Sequence, residues 1–233
     1  MGRGPRSRGA RALLVLGVAA AGGLTSASTA LAADVWDQAE FRGPAGFVEI
    51  QRVDPAEKNR ITVAPSGAVP TPTGDPMFGV LPTALVVTDD ATPLGNVSGN
   101  CERLSAHSAR CNWPGGIDFV DAFLGAGNDS FQSQSGASGA ATPSGYSTDT
   151  GDGNDSVSIP VSKGASVFTQ GGNDTISVSQ ESYFEGIDVY AGGGNDRVTV
   201  TNAGGGQVDC GDGNDTAVIV GDRTGSTNCE GPA

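Results

Sequence analysis

The tripeptide Gly-Asn-Asp occurs five times in the C-terminal half of this chain. The copies are Gly127-Asn128-Asp129, Gly153-Asn154-Asp155, Gly172-Asn173-Asp174, Gly194-Asn195-Asp196 and Gly213-Asn214-Asp215. Their aspartates are separated by 26, 19, 22 and 19 residues. A fixed turn recurring at about the length of one solenoid coil implies stacked coils, each relying on its neighbours to bury a core. Stacking puts Asp129, Asp155, Asp174, Asp196 and Asp215 in a column, and a column of carboxylates calls for a cation.

Aligned on the final aspartate, the position four residues earlier holds Gly125, Gly151, Gln170, Gly192 and Gly211. The next position holds Ala126, Asp152, Gly171, Gly193 and Asp212. Glycine takes positive φ without steric cost, and asparagine tolerates it better than most residues. A Gly-x-Gly-Asn run therefore suits a tight turn with inward-facing carbonyls, closed by the aspartate. Two residues after the aspartates come Phe131, Val157, Ile176, Val198 and Ala217; four after come Ser133, Ile159, Val178, Val200 and Ile219. Ser158, Ser177 and Thr199 alternate with them, which is the period-two pattern of a strand with one buried face. Val167, Val189 and Val208, seven residues before their aspartates, mark a second inward strand.

Each coil thus reads strand, acidic turn, strand, plain turn. The plain turns fall at Ser162-Lys163-Gly164, Gln180 to Gly186, Thr201 to Gly206 and Gly221 to Ser226, and an insertion loop lies around Ser135 to Gly145. The expected fold is all-β: a right-handed parallel β-roll or β-solenoid of about five coils over residues 119–233. A β-rich cap over 33–118 precedes it. Within the cap, Lys58-Asn59-Arg60-Ile61-Thr62-Val63 resembles Asn195-Asp196-Arg197-Val198-Thr199-Val200, with Asn59 where the acid should be. Degenerate coils that hide the open edge would explain this, and an independent β-sandwich is the alternative.

Composition supports a thin core rather than a large one, because the 233 residues include 37 glycines and only 6 % aromatics. Residues 1–32 read as an export leader: Arg3, Arg6, Arg8 and Arg11, an apolar run from Ala12 to Leu24, and the small-x-small site Ala30-Leu31-Ala32. Four of the 13 basic residues lie there and none of the 26 acids, so the processed chain carries 9 bases and a balance of −17. Such a surface excludes nucleic acid and anionic lipid as partners and favours metal cations. No other stretch is apolar enough for membrane insertion.

Four cysteines in an exported chain suggest two disulfides in one of three pairings. Spacing favours Cys101–Cys111, closing a short hairpin. It also favours Cys210–Cys229, whose 19-residue separation equals a coil and would clamp the last coil to the one before.

The runs Gly192-Gly193-Gly194-Asn195-Asp196-Arg197-Val198-Thr199 and Gly211-Asp212-Gly213-Asn214-Asp215-Thr216-Ala217-Val218 resemble the hemolysin-type, or RTX, calcium-binding repeat Gly-Gly-x-Gly-x-Asp-x-aliphatic-x. The resemblance covers about residues 119–220. It implies a parallel β-roll holding Ca²⁺ between successive turns through aspartate carboxylates and turn carbonyls. Here the pattern departs from the family in having one such turn per coil, which implies a single column of sites. Gln170 also replaces a turn glycine. The N-terminal leader makes the chain similar to exported repeat proteins of high-GC Gram-positive bacteria.

The expected ligands are Asp129, Asp155, Asp174, Asp196 and Asp215, with the backbone of Gly127, Gly153, Gly172, Gly194 and Gly213 and of Asn128, Asn154, Asn173, Asn195 and Asn214. Asp152 and Asp212 either add charge at their turns or face solvent. Calcium takes six to eight oxygens, whereas magnesium demands a strict octahedron and zinc seeks nitrogen or sulfur. No catalytic activity is expected. A Ser/His site would need His107 beside Ser105 and Ser108, with no nucleophile-elbow motif present. A polysaccharide-active enzyme would need a carboxylate pair among Asp118, Asp121, Glu185 and Asp188. The other alternative is a calcium-dependent adhesin, in which Ser156, Ser158, Thr175, Ser177 and Thr199 form a polar ladder facing a cell-surface or extracellular polysaccharide. The protein is expected to be secreted and monomeric.

Overall fold

The computed structural model describes residues 33–37, 46–51, 57–70, 80–135, 141–180, 186–201, 204–221 and 225–230. Residues 1–32, where the leader is expected, residues 136–140 of the expected insertion loop, parts of three plain turns and Glu185 lie outside the described residues. Among the described residues the chain is all-β with no helix.

Two nine-stranded sheets face each other. Five coils supply consecutive strands to both: Ile117–Phe123 with Ser130–Ser133, Gly145–Asp149 with Ser156–Ser162, Gly164–Phe168 with Thr175–Gln180, Ile187–Tyr190 with Arg197–Thr201, and Gly206–Asp209 with Thr216–Val220. The four steps between them are all parallel, with one register shift, between Ile159 and Ser162. On one sheet Phe131, Val157, Ile176, Val198 and Ala217 are successive partners. On the other Val167, Val189 and Val208 line up. This is a parallel β-solenoid. Val157, Ile176, Val198, Val167, Val189 and Val208 are each at most 1 % exposed. Burial of such side chains contributes about 1.5–3 kcal/mol apiece, which lets a core one side chain deep hold each coil.

The stack continues toward the N-terminus. Gly46–Gln51 pairs parallel with Ile117–Phe123, and Arg60–Ser66 pairs parallel with Ser130–Ser133, with Ile61 opposite Phe131. Beyond this coil the pairing turns antiparallel. Ala84–Asp89 lies against Arg60–Ser66, Ser108–Asn112 against Ala84–Asp89, and Cys101–Arg103 against Ser108–Asn112. These three strands extend the second sheet, while Ala33–Asp37, antiparallel to Gly46–Gln51, and Leu94–Val97 extend the first, and one apolar cluster runs from Val48 to Cys210. The described strands of the N-terminal region therefore share the solenoid's two sheets and its apolar cluster.

Both disulfides join the pairs that spacing favours. Cys101 and Cys111 are direct cross-strand partners, and Cys210 joins Cys229 across 19 residues with a Cα–Cα distance of 5.1 Å. Two such bonds fit an oxidising compartment.

The corners are built by backbone contact. Gly194 has φ +145°, and a Cβ there would lie 1.6 Å from the Gly172 carbonyl oxygen one coil earlier. Gln170 occupies the same corner position as Gly151 and Gly192 and itself adopts φ 58°. Its side chain compensates by donating from Nε2 to Asp149 Oδ1 at 2.8 Å. The substitution Gly194→Ala is expected to cost about 3–5 kcal/mol in chemical denaturation, because the clash is with backbone that cannot move aside. Gly205→Ala, where no heavy atom lies within 4 Å of the new Cβ, should stay within about 0.5 kcal/mol.

Candidate metal centre

The five Gly-Asn-Asp corners stack in single file. Their mid-turn residues form a short parallel ladder through Asp152, Gly171, Gly193 and Asp212. Backbone bonds cross each gap, as in Gly153 N–H to Gly171 O at 2.6 Å and Gly172 N–H to Gly193 O at 2.7 Å.

The aspartates are buried against this stack. Asp129, Asp155, Asp174, Asp196 and Asp215 are between 0 and 3 % exposed. Each carboxylate is gripped by the neighbouring coil. Asp155 Oδ1 accepts the backbone N–H of Asp129, Asp174 Oδ1 that of Asp155, Asp196 Oδ1 that of Asp174, and Asp215 Oδ1 that of Asp196, all at 2.8 Å. The column has distinct ends. Asn59, in the acid's place on the preceding coil, donates its N–H to Asp129 Oδ1 at 2.6 Å. At the other end Asp215 N–H reaches Glu230 Oε2 at 2.5 Å.

The asparagines form a second ladder of opposite sense. Asn154 N–H donates to Asn128 Oδ1, Asn173 to Asn154, Asn195 to Asn173 and Asn214 to Asn195, at 2.7–3.0 Å. Their side chains lie on the exposed side of the corner, and Asp152 and Asp212 are exposed as well.

Electrostatics follow from burial. Asp174 is pushed up to about 6, chiefly by desolvation; the Asp155 N–H and the Thr169 hydroxyl pull it down, and the Asp155 charge adds to the rise. Asp196 also rises to about 6, again chiefly by desolvation, eased by the Asp174 N–H and reinforced by the charges of Asp174 and Asp215. Like charges about 5 Å apart repel by about 3 kcal/mol at an effective dielectric of 20. The second oxygens, Oδ2 of Asp196 and of Asp215, are buried without a hydrogen-bond partner. A buried orphan carboxylate oxygen is costly unless a proton or a cation meets it.

That oxygen is what a hard cation would use. Among the described residues no three His, Cys, Asp or Glu side chains converge on one point. A cation here would therefore take carboxylate oxygens from successive corners and complete its shell with turn carbonyls, a donor set of oxygen alone that suits calcium.

The other candidate residues are dispersed. His107 Nδ1 is bonded to the Asp89 carbonyl at 2.8 Å, while Ser105 Oγ and Ser108 Oγ are bonded to each other at 2.8 Å. Asp188 Oδ1 accepts the Gln207 N–H at 3.0 Å; Asp118 and Asp121 lie on Ile117–Phe123, two coils of the same sheet away from Gly164–Phe168 and three from Ile187–Tyr190. Ser156 stands opposite Thr175, and Ser158, Ser177 and Thr199 are successive partners on the outer side of the second sheet.

Proton linkage gives a direct check on the buried acids. Asp174 and Asp196 bind protons more readily in the folded chain than at their ordinary value of 3.8. Their contribution to folding is therefore fully present below about 4 and is lost as pH rises through about 6. In chelator, the melting temperature at about pH 5 should exceed that at about pH 7, and the difference should shrink in the Asp174→Asn, Asp196→Asn double variant.

Comparison with protein-family models, with curated proteins and with solved structures gives no match.

Proposed function

We propose that the protein is a secreted calcium-binding solenoid of the RTX-like type, in which Ca²⁺ completes the corner column and drives the chain into a rigid rod. The observation that carries this reading is the single file of buried carboxylates whose second oxygens, Oδ2 at Asp196 and Asp215, are buried with no hydrogen-bond partner. Asp129, Asp155, Asp174, Asp196 and Asp215 would hold the ions, aided by the carbonyls of the glycine turns. The bound cation supplies positive charge where adjacent carboxylates repel. The protein itself supplies the register that brings them together.

The leader-like residues 1–32 and the two disulfides support export. Extracellular calcium modules bind in the region of about 10⁻⁴–10⁻³ M, so folding would be completed outside the cell, where calcium is plentiful. No catalytic step is assigned to any residue. The Ser/Thr rows on the second sheet are the surface such a rod would offer to an extracellular or cell-surface polysaccharide, with the protein acting as a monomer.

A second reading has its own observation. Every carboxylate of the column already holds a backbone N–H, so the ladder would also work as a purely structural device with protonated or strained acids. Calcium titration separates the two. Circular dichroism and calorimetry in chelator and in millimolar calcium should show a gain in β signal, heat of binding and a higher melting temperature. Magnesium should do this more weakly. Asp196→Ala should abolish binding in the two adjacent gaps. Unchanged stability with no heat on adding calcium would establish the metal-free ladder instead.

A further inference from the structure

The Gly-Asn-Asp pattern ends at Asp215, yet the carboxylate column does not. After Thr216–Val220 the chain crosses back to the first sheet, where Gly225–Thr227 pairs parallel with Gly206–Asp209. It then turns a shortened corner. Asp215 follows Asp209 by six residues, whereas Glu230 follows Thr227, the partner of Asp209, by only three. Asn228 takes φ 55° at this corner and donates Nδ2 to Asp209 Oδ1 at 2.8 Å. Glu230 then bridges to Thr216 in parallel, and its Oε2 accepts the Asp215 N–H. In the four steps before it, that bond goes to the aspartate of the next coil. The longer glutamate side chain makes up for the missing residues.

Two further features make this step more than a cap. Asp215 is fully buried, and its Oδ2 is without a hydrogen-bond partner. Cys229, next to Glu230, is tied to the fully buried Cys210. The disulfide therefore fixes the one acid that no repeat motif marks.

Resting on the calcium reading above, we infer that Asp215 and Glu230 form a terminal divalent-cation site, and that the Cys210–Cys229 disulfide holds it together. Removing the disulfide would free Glu230 and open this site while leaving the earlier corners stacked. The last site would then be sensitive to redox conditions in a way the others are not.

Isothermal titration with calcium on the full processed chain tests this, with Glu230→Gln as the main variant. Glutamine keeps an oxygen for the Asp215 N–H but removes the charge. The expected result is one fewer ion bound per chain, or one class of site weakened by about tenfold or more. The Cys210→Ser, Cys229→Ser double variant should lose the same site. If the wild-type chain takes up no calcium, the proposed function fails and this site with it. If the wild type binds calcium and Glu230→Gln binds the same number of ions with the same affinities, the terminal site is overturned and the wider calcium reading stands. A Glu230→Gln chain that is destabilised in chelator and keeps full stoichiometry would make Glu230 a cap only, which also overturns the site.

Discussion

The structure depends on a hydrogen bond that runs from one coil's backbone to the next coil's aspartate. A parallel solenoid has regular ladders along its strands, but its corners must find partners for backbone groups that no strand can pair. Here the N–H of each corner aspartate is met by the carboxylate of the following corner. A charge-assisted bond of this kind is about twice as strong as a neutral one. It also fixes register, since a coil displaced by one residue would present asparagine on one side, or serine, threonine or arginine on the other, in place of the acid. The cost is a file of buried like charges, and the raised values of Asp174 and Asp196 are its direct expression.

The ends of the column show how that cost is contained. Toward the N-terminus the file stops at Asn59, a neutral residue with the same shape as aspartate. It donates to Asp129 from both its backbone and its side-chain amide and adds no charge. Beyond it Asp89 turns its Oδ1 to three backbone N–H groups, those of Arg60, Ala91 and Thr92, and the sheets change to antiparallel pairing. That change ends the repeat, because an antiparallel neighbour cannot continue the corner. Toward the C-terminus a disulfide and a glutamate take over.

Much of this was legible in the residues. The recurrence of Gly-Asn-Asp fixed the coil length, and the alternation around Val157, Ile176 and Val198 fixed which side faces inward. Asn59 could be aligned because Arg60-Ile61-Thr62-Val63 repeats the strand that follows Asp196. Other features were hidden for physical reasons. The recurrence placed the five aspartates in one column, but only the stacked geometry shows that they are buried and that each is bonded to a neighbouring coil, as across the 26 residues from Asp129 to Asp155 and the 19 from Asp155 to Asp174. The asparagines read as turn formers, whereas their side chains form a ladder of their own. Glu230 gives no motif signal, since its corner is three residues short. The antiparallel strands between Ala84 and Asn112 are paired by long-range contacts that strand periodicity cannot specify.

The two ladders of opposite sense have a consequence for how such a molecule can change. Between any two neighbouring corners, one bond runs forward through an aspartate and one runs back through an asparagine. Each junction is thus closed on itself and makes no demand on what lies beyond it. Deleting or duplicating a whole coil would leave identical joints on either side, with only the caps needing to stay. A chain built this way can be lengthened or shortened in whole units while its two ends are preserved.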